Sequence, residues 1–180
     1  LHAMTSSKPN ASGNIVAQKD IISQLGYDKF GQRTYLRYGN GTETTYMYED
    51  ANEKRRRLVN MQVRQLGTTA SGAGALVTPR TFVNNKYTYD ALSNVKSIHN
   101  NSVALPTDTQ IGGRSIQNYT YDDLNRLEAA TGTFVGRNDQ TLNPGAINYA
   151  SQNYALTMSY DNQHNIVAKN QLHRKATTNG

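Results

Sequence analysis

The feature that most constrains this chain is a short phrase, tyrosine followed by an acidic residue, that returns several times along its length. Two copies are nearly identical, "YTYDALSNV" at 87–95 and "YTYDDLNRL" at 119–127. Each carries two tyrosines two positions apart, which on a β-strand point to the same face of a sheet. Because a single hairpin is marginally stable in water, a chain that repeats this unit is expected to pack each copy against its neighbours.

Each copy predicts a strand, a tight turn and a returning strand. The acidic residue can accept hydrogen bonds from backbone N–H groups two or three residues further on. The third residue after it is Gly, Asn, Ser or His, and most of these types adopt positive φ readily. This pattern is typical of a hairpin loop built on a type I turn plus one left-handed residue. The predicted repeat positions are Tyr27, Asp28, Gly31, Tyr48, Glu49, Asn52, Tyr89, Asp90, Tyr121, Asp122, Asn125, Tyr160 and Asp161.

The spacing of the copies predicts where loops interrupt the array. A degenerate copy places Asn10 in the acidic position, and two short intervals are then followed by three long ones. Long, mobile loops are therefore expected near 67–80 and 132–153, which are rich in Gly, Ala, Ser, Thr and Asn. Asn40-Gly41 lies between strand-like flanks and predicts a second hairpin with a type I′ turn.

The fold class that these patterns predict is all-β, an array of antiparallel β-hairpins without a long helix. Twelve Tyr against three Phe fit this class, because a tyrosine ring packs against a sheet while its hydroxyl stays wet or bonded. The helix-like stretch "DANEKRRRLVNMQV" falls on a repeat turn and its outgoing strand. The repeat register therefore favours β structure there.

Composition excludes several function classes. Without cysteine the chain has no disulfide, thiolate chemistry or cysteine-ligated metal. The net charge is +6, with the densest basic run at 54–57, but no nucleic-acid-binding motif accompanies it. A solvated turn or strand is the preferred interpretation of that run. No apolar stretch approaches the roughly 20 residues of a membrane helix, so membrane insertion is not expected.

The side chains that carry chemistry are scattered. No two histidines are three or four residues apart, as a zinc pair on one element would require. Each repeated acid stands alone at its own turn, whereas glycosidases need two carboxylates facing each other. "SGAGA" at 71–75 lacks the Lys-Ser/Thr of a phosphate loop. No enzymatic activity, cofactor or metal is expected. The tyrosine rows leave two interpretations open, packing of the sheet or stacking on sugar rings.

The Tyr-Asp-x-x-Gly-Asn/Arg-Leu/Ile units resemble the YD (Rhs) repeats found in bacterial Rhs and wall-associated proteins, in the C components of Tc toxin complexes and in teneurins. The resemblance covers roughly 10–170. It implies a curved antiparallel strip that, in complete proteins, can close into a shell around a C-terminal toxin or other cargo. The Asp-Pro-containing terminus that marks self-cleavage in such toxins is missing, as is a divergent C-terminal domain.

We therefore expect residues 1–4 to be a remnant of a cloning vector and 5–180 to be one repeat module excerpted from a longer protein. Its expected function is non-catalytic, as part of a secreted or surface-exposed bacterial β-shell that encloses or displays a C-terminal effector. Its expected partners are further repeats and a C-terminal domain of the same chain, together with self-association through unpaired sheet edges. The alternative is a cell-surface module that recognises glycans or acidic polymers.

Overall fold

The structure is a computed structural model that describes residues 3–50, 52, 55–67, 79–102, 113–135 and 152–175. The strands in these ranges are β1 (Met4–Pro9), β2 (Ile15–Tyr27), β3 (Arg33–Tyr38), β4 (Thr42–Tyr48), β5 (Leu58–Gln65), β6 (Arg80–Tyr89), β7 (Val95–Asn100), β8 (Arg114–Tyr121), β9 (Leu127–Val135), β10 (Gln152–Tyr160) and β11 (Ile166–Lys175). No helix occurs in the described ranges. The predicted all-β array of antiparallel hairpins is confirmed.

The chain divides into two compact units, Leu1–Phe82 and Val83–Gly180. In the first unit, β1 to β5 each pair with their neighbours in the sequence, always antiparallel. In the second unit, β6 to β11 do the same. Met4 already pairs with Ile22, while residues 1 and 2 lie outside the described ranges. The single module from residue 5 onward stays a prediction.

Alternation along the strands separates two faces of the sheet in the second unit. In β8 the half-buried residues include Tyr119 and Tyr121, whereas Asn118 and Thr120 on the opposite face are exposed. β10 alternates in the same way. None of the described side chains is fully buried, and the hydrophobic ones that come closest are Leu36 and Ala130. The tyrosines of this face are thus half-buried and not enclosed, as expected for thin sheets.

The two predicted loops are shorter than expected where the structure describes them. β9 continues to Val135 and β10 begins at Gln152, so both ends of the segment 132–153 are strand. Thr133, Phe134 and Val135 favour a pleated, half-buried strand, and this outweighs the loop-like composition around them. Arg80 belongs to β6. Residues 68–78 and 136–151 lie outside the described ranges. The stretch "LVNMQV" forms β5, as the repeat register predicts.

The hairpin between β3 and β4 does not have the predicted type I′ turn. Gly41 has a φ of 82°, but Asn40 does not have positive φ. The Gly41 N–H donates to the Tyr38 carbonyl at 3.2 Å. The loop is therefore Gly39–Asn40–Gly41, with one left-handed residue at its end. The prediction did not include Gly39 in the loop. Because the loop has three residues and not two, only Gly41 has to adopt positive φ.

Candidate functional site

The recurring acids of the repeat organise the turns on which they lie. At Asp122 the backbone N–H donates to the Arg126 carbonyl at 2.9 Å, and the Asn125 N–H donates to the Asp122 carbonyl at 2.9 Å. The Oδ1 atom of Asp122 accepts the N–H groups of Leu124 and Arg126, at 3.0 and 2.9 Å. The same four bonds recur at Asn10, Asp28, Asp90 and Asp161.

The left-handed residue also occupies the predicted place in these five turns. The third residue after the acid or Asn10 has a φ of 81° at Gly13 and Gly31, 75° at Ser93, 62° at Asn125 and 68° at His164. Asn and His adopt this region more easily than most residues, and the carboxylate bonds of the turn compensate for the less suitable Ser93. His164 therefore has a structural role in its turn.

The turn at Glu49 differs from the prediction. Here the Glu49 N–H donates to the Arg57 carbonyl at 2.9 Å, so the loop closes four residues later than in the other copies. The left-handed residue is Arg56, with a φ of 49°, and not Asn52. The longer Glu49 side chain also reaches farther, and its Oε2 accepts the Arg57 N–H at 3.0 Å. The assignment of Asn52 to the turn position was wrong because the loop contains an insertion.

The second carboxylate oxygen of each acid binds a side chain. The residue four places after the acid supplies it in three turns: Asn94 donates to Asp90 at 2.9 Å, Asn165 to Asp161 at 3.0 Å, and Arg126 to Asp122 at 2.7 Å. Arg56 makes an ion pair with Asp28. The repeat motif contains this Asn or Arg position, but the sequence did not predict its bond to the acid. Its signal was the recurrence of Asn, Gln or Arg at Asn14, Gln32, Asn94, Arg126 and Asn165.

Two arginines of the basic run at 54–57 are ion-paired with these acids. The Arg57 guanidinium donates to Glu49 at 2.8 Å and Arg56 pairs with Asp28, and Arg56 also stacks 3.3 Å from the Phe30 ring. Lys54 lies outside the described ranges. The side chains of Arg56 and Arg57 therefore stabilise the turns, and they do not form an exposed basic surface for acidic partners.

Hydrogen bonding lowers the pKa of the repeat acids. The largest cause is the backbone N–H of Arg126 for Asp122, and a side-chain amide for Asp90 and Asp161. For Glu49 it is the Arg57 guanidinium. At Asp28 burial is the largest cause and raises the pKa, but the Gln32 and Phe30 N–H groups together with Arg56 outweigh it.

These shifts predict acid sensitivity. Because the folded-state pKa values lie below those of the unfolded chain, the acids stabilise the fold above about pH 4, and this contribution is lost as pH falls through the lowered values. We expect the free energy of unfolding in urea to fall between neutral pH and about pH 3. Asp122→Asn should be less stable than the parent at neutral pH and lose less on acidification. Parallel pH curves for the two proteins would contradict this.

A β-bulge follows each of the six repeat turns in the described ranges. Tyr121 pairs with Leu127 but Thr120 pairs with Ala129, so Glu128 is an extra residue in the outgoing strand. The equivalent extra residues elsewhere are Val16, Thr34, Val59, Lys96 and Val167. A bulge disrupts the ladder locally and redirects neighbouring groups. The bulge directly follows the first residue of the outgoing strand. The carbonyl of that first residue accepts a hydrogen bond from a neighbouring repeat in three cases.

At three of the turns, the tyrosine directly before the turn acid joins one repeat to the previous one. In the first unit the Tyr48 hydroxyl donates to the Arg33 carbonyl at 2.9 Å. In the second unit Tyr121 donates to Val95 at 3.0 Å and Tyr160 to Leu127 at 2.8 Å. In all three cases the acceptor is the first residue of the preceding outgoing strand. We call the pairing of one repeat's outgoing strand with the next repeat's incoming strand a joint. The tyrosine hydroxyl thus donates a hydrogen bond across a joint.

Neighbouring turns contact each other as well. In the first unit the Gln32 side chain donates to the Arg56 carbonyl at 3.1 Å. In the second, Asn94 donates to Asn125 Oδ1 at 2.8 Å, and Arg126 donates to the Asp161 carbonyl at 3.2 Å. The donor is always the residue four places after one acid, and it reaches the next turn. The repeat acids are therefore parts of a connected row of turns in each unit, not isolated positions.

The register across the joints is constant. The seventh residue after one acid pairs with the fourth residue before the next: Tyr35 with Thr45, Ser97 with Asn118, and Ala129 with Thr157. The segments that connect these strands differ widely in length. The turns and bulges, rather than the opposite loops, therefore set the register. The Asn10 turn shares the local geometry but lies outside this row, because β2 runs unbroken between it and the Asp28 turn.

Removing the joint hydroxyl gives a direct test of this geometry. Tyr121→Phe should lower the free energy of unfolding by about 1 kcal/mol, since one hydrogen bond to the Val95 carbonyl is lost. The matched control is Tyr27→Phe, at a ring that is 54% exposed, where a change within about 0.5 kcal/mol is expected. Urea unfolding followed by circular dichroism measures both. Equal losses would show that the Tyr121 hydroxyl has no special role.

Catalytic groupings are not apparent in the described part of the chain. It holds no cluster of three or more His, Asp or Glu arranged to bind a metal ion. Nor does it contain a helix long and apolar enough to cross a membrane. A groove of about 380 Å³ between the Asp90 and Asp122 turns is lined in part by Tyr119 and Tyr121. Their hydroxyls are already bonded, Tyr119 to Gln117 and Tyr121 to Val95.

Comparison with known proteins agrees with the repeat geometry, although no family model matches the chain. The toxin subunit YenC1 of Yersinia entomophaga is 31% identical over 153 residues, 82% of this chain. Toxin subunit YenC2 of the same organism is 29% identical over 164 residues. The chain spans 15% of the length of each relative.

Solved structures show the same fold. The Photorhabdus luminescens Tc holotoxin pore matches 95% of this chain with a TM-score of 0.65 at 23% identity, over 8% of its own chain. The TcdB2–TccC3–Cdc42 complex matches 99% of this chain, again with a TM-score of 0.65 and over 8% of that chain. The chain is thus similar in sequence to toxin subunits and in fold to parts of Tc complexes. The chain belongs to the YD-repeat (Rhs-repeat) family.

Proposed function

We propose that this chain is a non-catalytic structural segment of a secreted bacterial toxin protein, in which further YD repeats extend the sheet into a shell that encloses or displays a C-terminal effector. The observation that carries the proposal is the constant joint between repeats. The tyrosines before three of the turn acids donate their hydroxyls to backbone carbonyls of the preceding repeat, at Arg33, Val95 and Leu127. Similarity to toxin subunits supports the same conclusion.

The alternative, a surface module that binds glycans through tyrosine rings, has less support. Sugar recognition needs accessible ring faces and polar groups, but Tyr119 and Tyr121 are half-buried in their face and their hydroxyls bond within the sheet. Binding to a glycan panel that saturates, and that Tyr119→Ala abolishes without unfolding the chain, would favour this alternative.

The shell proposal is tested by limited proteolysis of the full-length parent protein. We expect its C-terminal part to resist protease while the repeat region is intact, and to be digested at the rate of the same part expressed alone once the joints are opened. A double variant, Tyr121→Phe with Tyr160→Phe, weakens two joints by about 1 kcal/mol each and should speed digestion of the C-terminal part, and Tyr27→Phe is the matched control. Rapid digestion of the C-terminal part in the unmodified parent would contradict enclosure.

A further inference from the structure

The outer edge of β11 is the next place where a joint would form. Among the described strands β11 pairs only with β10, and its residues 166–174 are exposed. The turn before it, at Asp161, has the same bonds as the other turns. The Ile166 carbonyl occupies the position of the Arg33, Val95 and Leu127 carbonyls that accept tyrosine hydroxyls. No tyrosine hydroxyl within the described ranges donates to it.

β11 differs from the other outgoing strands at the position that each joint covers. The eighth residue after the turn acid is Leu36 in β3 and Ala130 in β9, and these are 3% and 4% exposed. In β7 it is Ile98, which is half-buried. In β11 the equivalent residue is Lys169. The covered position is therefore apolar in β3, β7 and β9, whose next joint is described, and cationic in β11.

The constant register identifies what would lie against Lys169. The fifth residue before the next acid pairs with the covered position: Thr44 with Leu36, Gln117 with Ile98, and Leu156 with Ala130. A strand that docks on β11 in this register would place its own fifth residue beside the Lys169 ammonium. Removing that charge from water is costly unless a carboxylate accompanies it.

No acidic residue is present on this sheet edge to accompany the charge. The segments 152–160 and 166–175 contain no Asp or Glu, and His173 shares the face of Lys169. A lysine on an edge strand discourages pairing with strands that do not match it. The first unit gives an example of a cationic side chain on one strand that is neutralised by a carboxylate on the neighbouring strand. Glu43 of β4, only 3% exposed, pairs with Arg64 of the neighbouring strand β5.

We propose that Lys169 makes the free edge of β11 selective for a YD hairpin that carries an acidic residue five positions before its own turn acid. The incoming strand would add antiparallel to β11, donate its tyrosine hydroxyl to the Ile166 carbonyl, and set its carboxylate against Lys169. Strand addition takes its affinity from main-chain bonds and its specificity from alternate side chains. The inference rests on register and charge, and it is independent of whether the parent protein forms a shell.

The test uses the whole chain and a fluorescein-labelled synthetic peptide with the sequence of residues 113–135. Tyr121 and Asp122 of this probe supply the tyrosine and turn acid, and Gln117 is the residue placed against Lys169. Fluorescence anisotropy compares the unmodified probe with Gln117→Glu and Gln117→Lys. We expect the Glu probe to bind about 10-fold more tightly than the Lys probe, because like charges would otherwise meet. Added salt should narrow this difference.

A charge reversal identifies the site. In the Lys169→Glu chain the order of the two charged probes should reverse. Tyr121→Phe in the Glu probe should weaken binding about 5-fold, through loss of the bond to Ile166. Equal affinity for all three probes, absence of binding by the Glu probe, or an unchanged order with Lys169→Glu would overturn the proposal. So would light scattering that shows a dimer of the chain from which the Glu probe is excluded, since a second copy would then occupy the edge.

Discussion

Replacing Gly39 with alanine is expected to destabilise the first unit by about 3 kcal/mol. A Cβ atom at this position would lie 1.8 Å from the backbone oxygen of Asp20 and 2.6 Å from its carbonyl carbon. These are backbone atoms of β2 and cannot rotate away. The Gly39 N–H also donates to the Ile21 carbonyl at 3.1 Å, so the loop cannot retreat without breaking that bond. Urea unfolding followed by far-ultraviolet circular dichroism measures the loss.

The matched control for this change is Gly13→Ala. Gly13 also lies in a hairpin loop of the first unit, but it has a φ of 81° and nothing within 4 Å of a Cβ at its position. Its substitution should cost about 1 kcal/mol, the penalty for a left-handed alanine. The comparison separates steric approach from backbone conformation. If Gly13→Ala proves as costly as Gly39→Ala, the close contact with Asp20 does not limit the loop.

Leu36→Ala should cost about 2–3 kcal/mol. Leu36 is 3% exposed, and it lies between Leu25 of β2 and Thr44 of β4 in the cross-strand pairing. The loss combines the transfer free energy of the removed methyl groups with the cost of the cavity that they leave.

The control is Met47→Ala, in the same unit, at a side chain that is 59% exposed. This truncation of an exposed residue should change stability by within about 0.5 kcal/mol. Urea unfolding of both variants gives the comparison. A loss at Leu36 no larger than that at Met47 would mean that apolar burial contributes little and that backbone pairing alone maintains the strands.

The turns were predictable because their chemistry is local. A carboxylate that accepts two N–H groups and a left-handed residue three places later are both written in a stretch of five residues, as at Asp90–Asn94. The Glu49 turn, which was predicted wrongly, shows the limit of this local chemistry. At Glu49 an insertion moved the left-handed residue to Arg56, and the motif alone gives no sign of a loop that closes later.

The joints were not predictable from one copy of the repeat. The bulge residue, such as Glu128 or Val167, varies in type because nothing local demands a particular side chain there. The acceptors of the tyrosine hydroxyls are backbone carbonyls, which leave no mark in the sequence. The residue four places after most of the turn acids did leave a mark in the sequence, because an amide or a guanidinium recurs there. Its meaning depends on which turns are neighbours, and that becomes clear only when the strands are paired.

The scarcity of enclosed side chains has a consequence for how the molecule melts. Heat capacity rises on unfolding mainly because apolar surface meets water, by about 12–15 cal/mol/K per residue in ordinary globular domains. None of the described side chains here is fully buried, so less such surface is released. The stability curve of this protein should therefore be flatter with temperature than that of a globular domain of its size. Tyrosine-rich sheets of this kind would keep their modest stability over a broad thermal range.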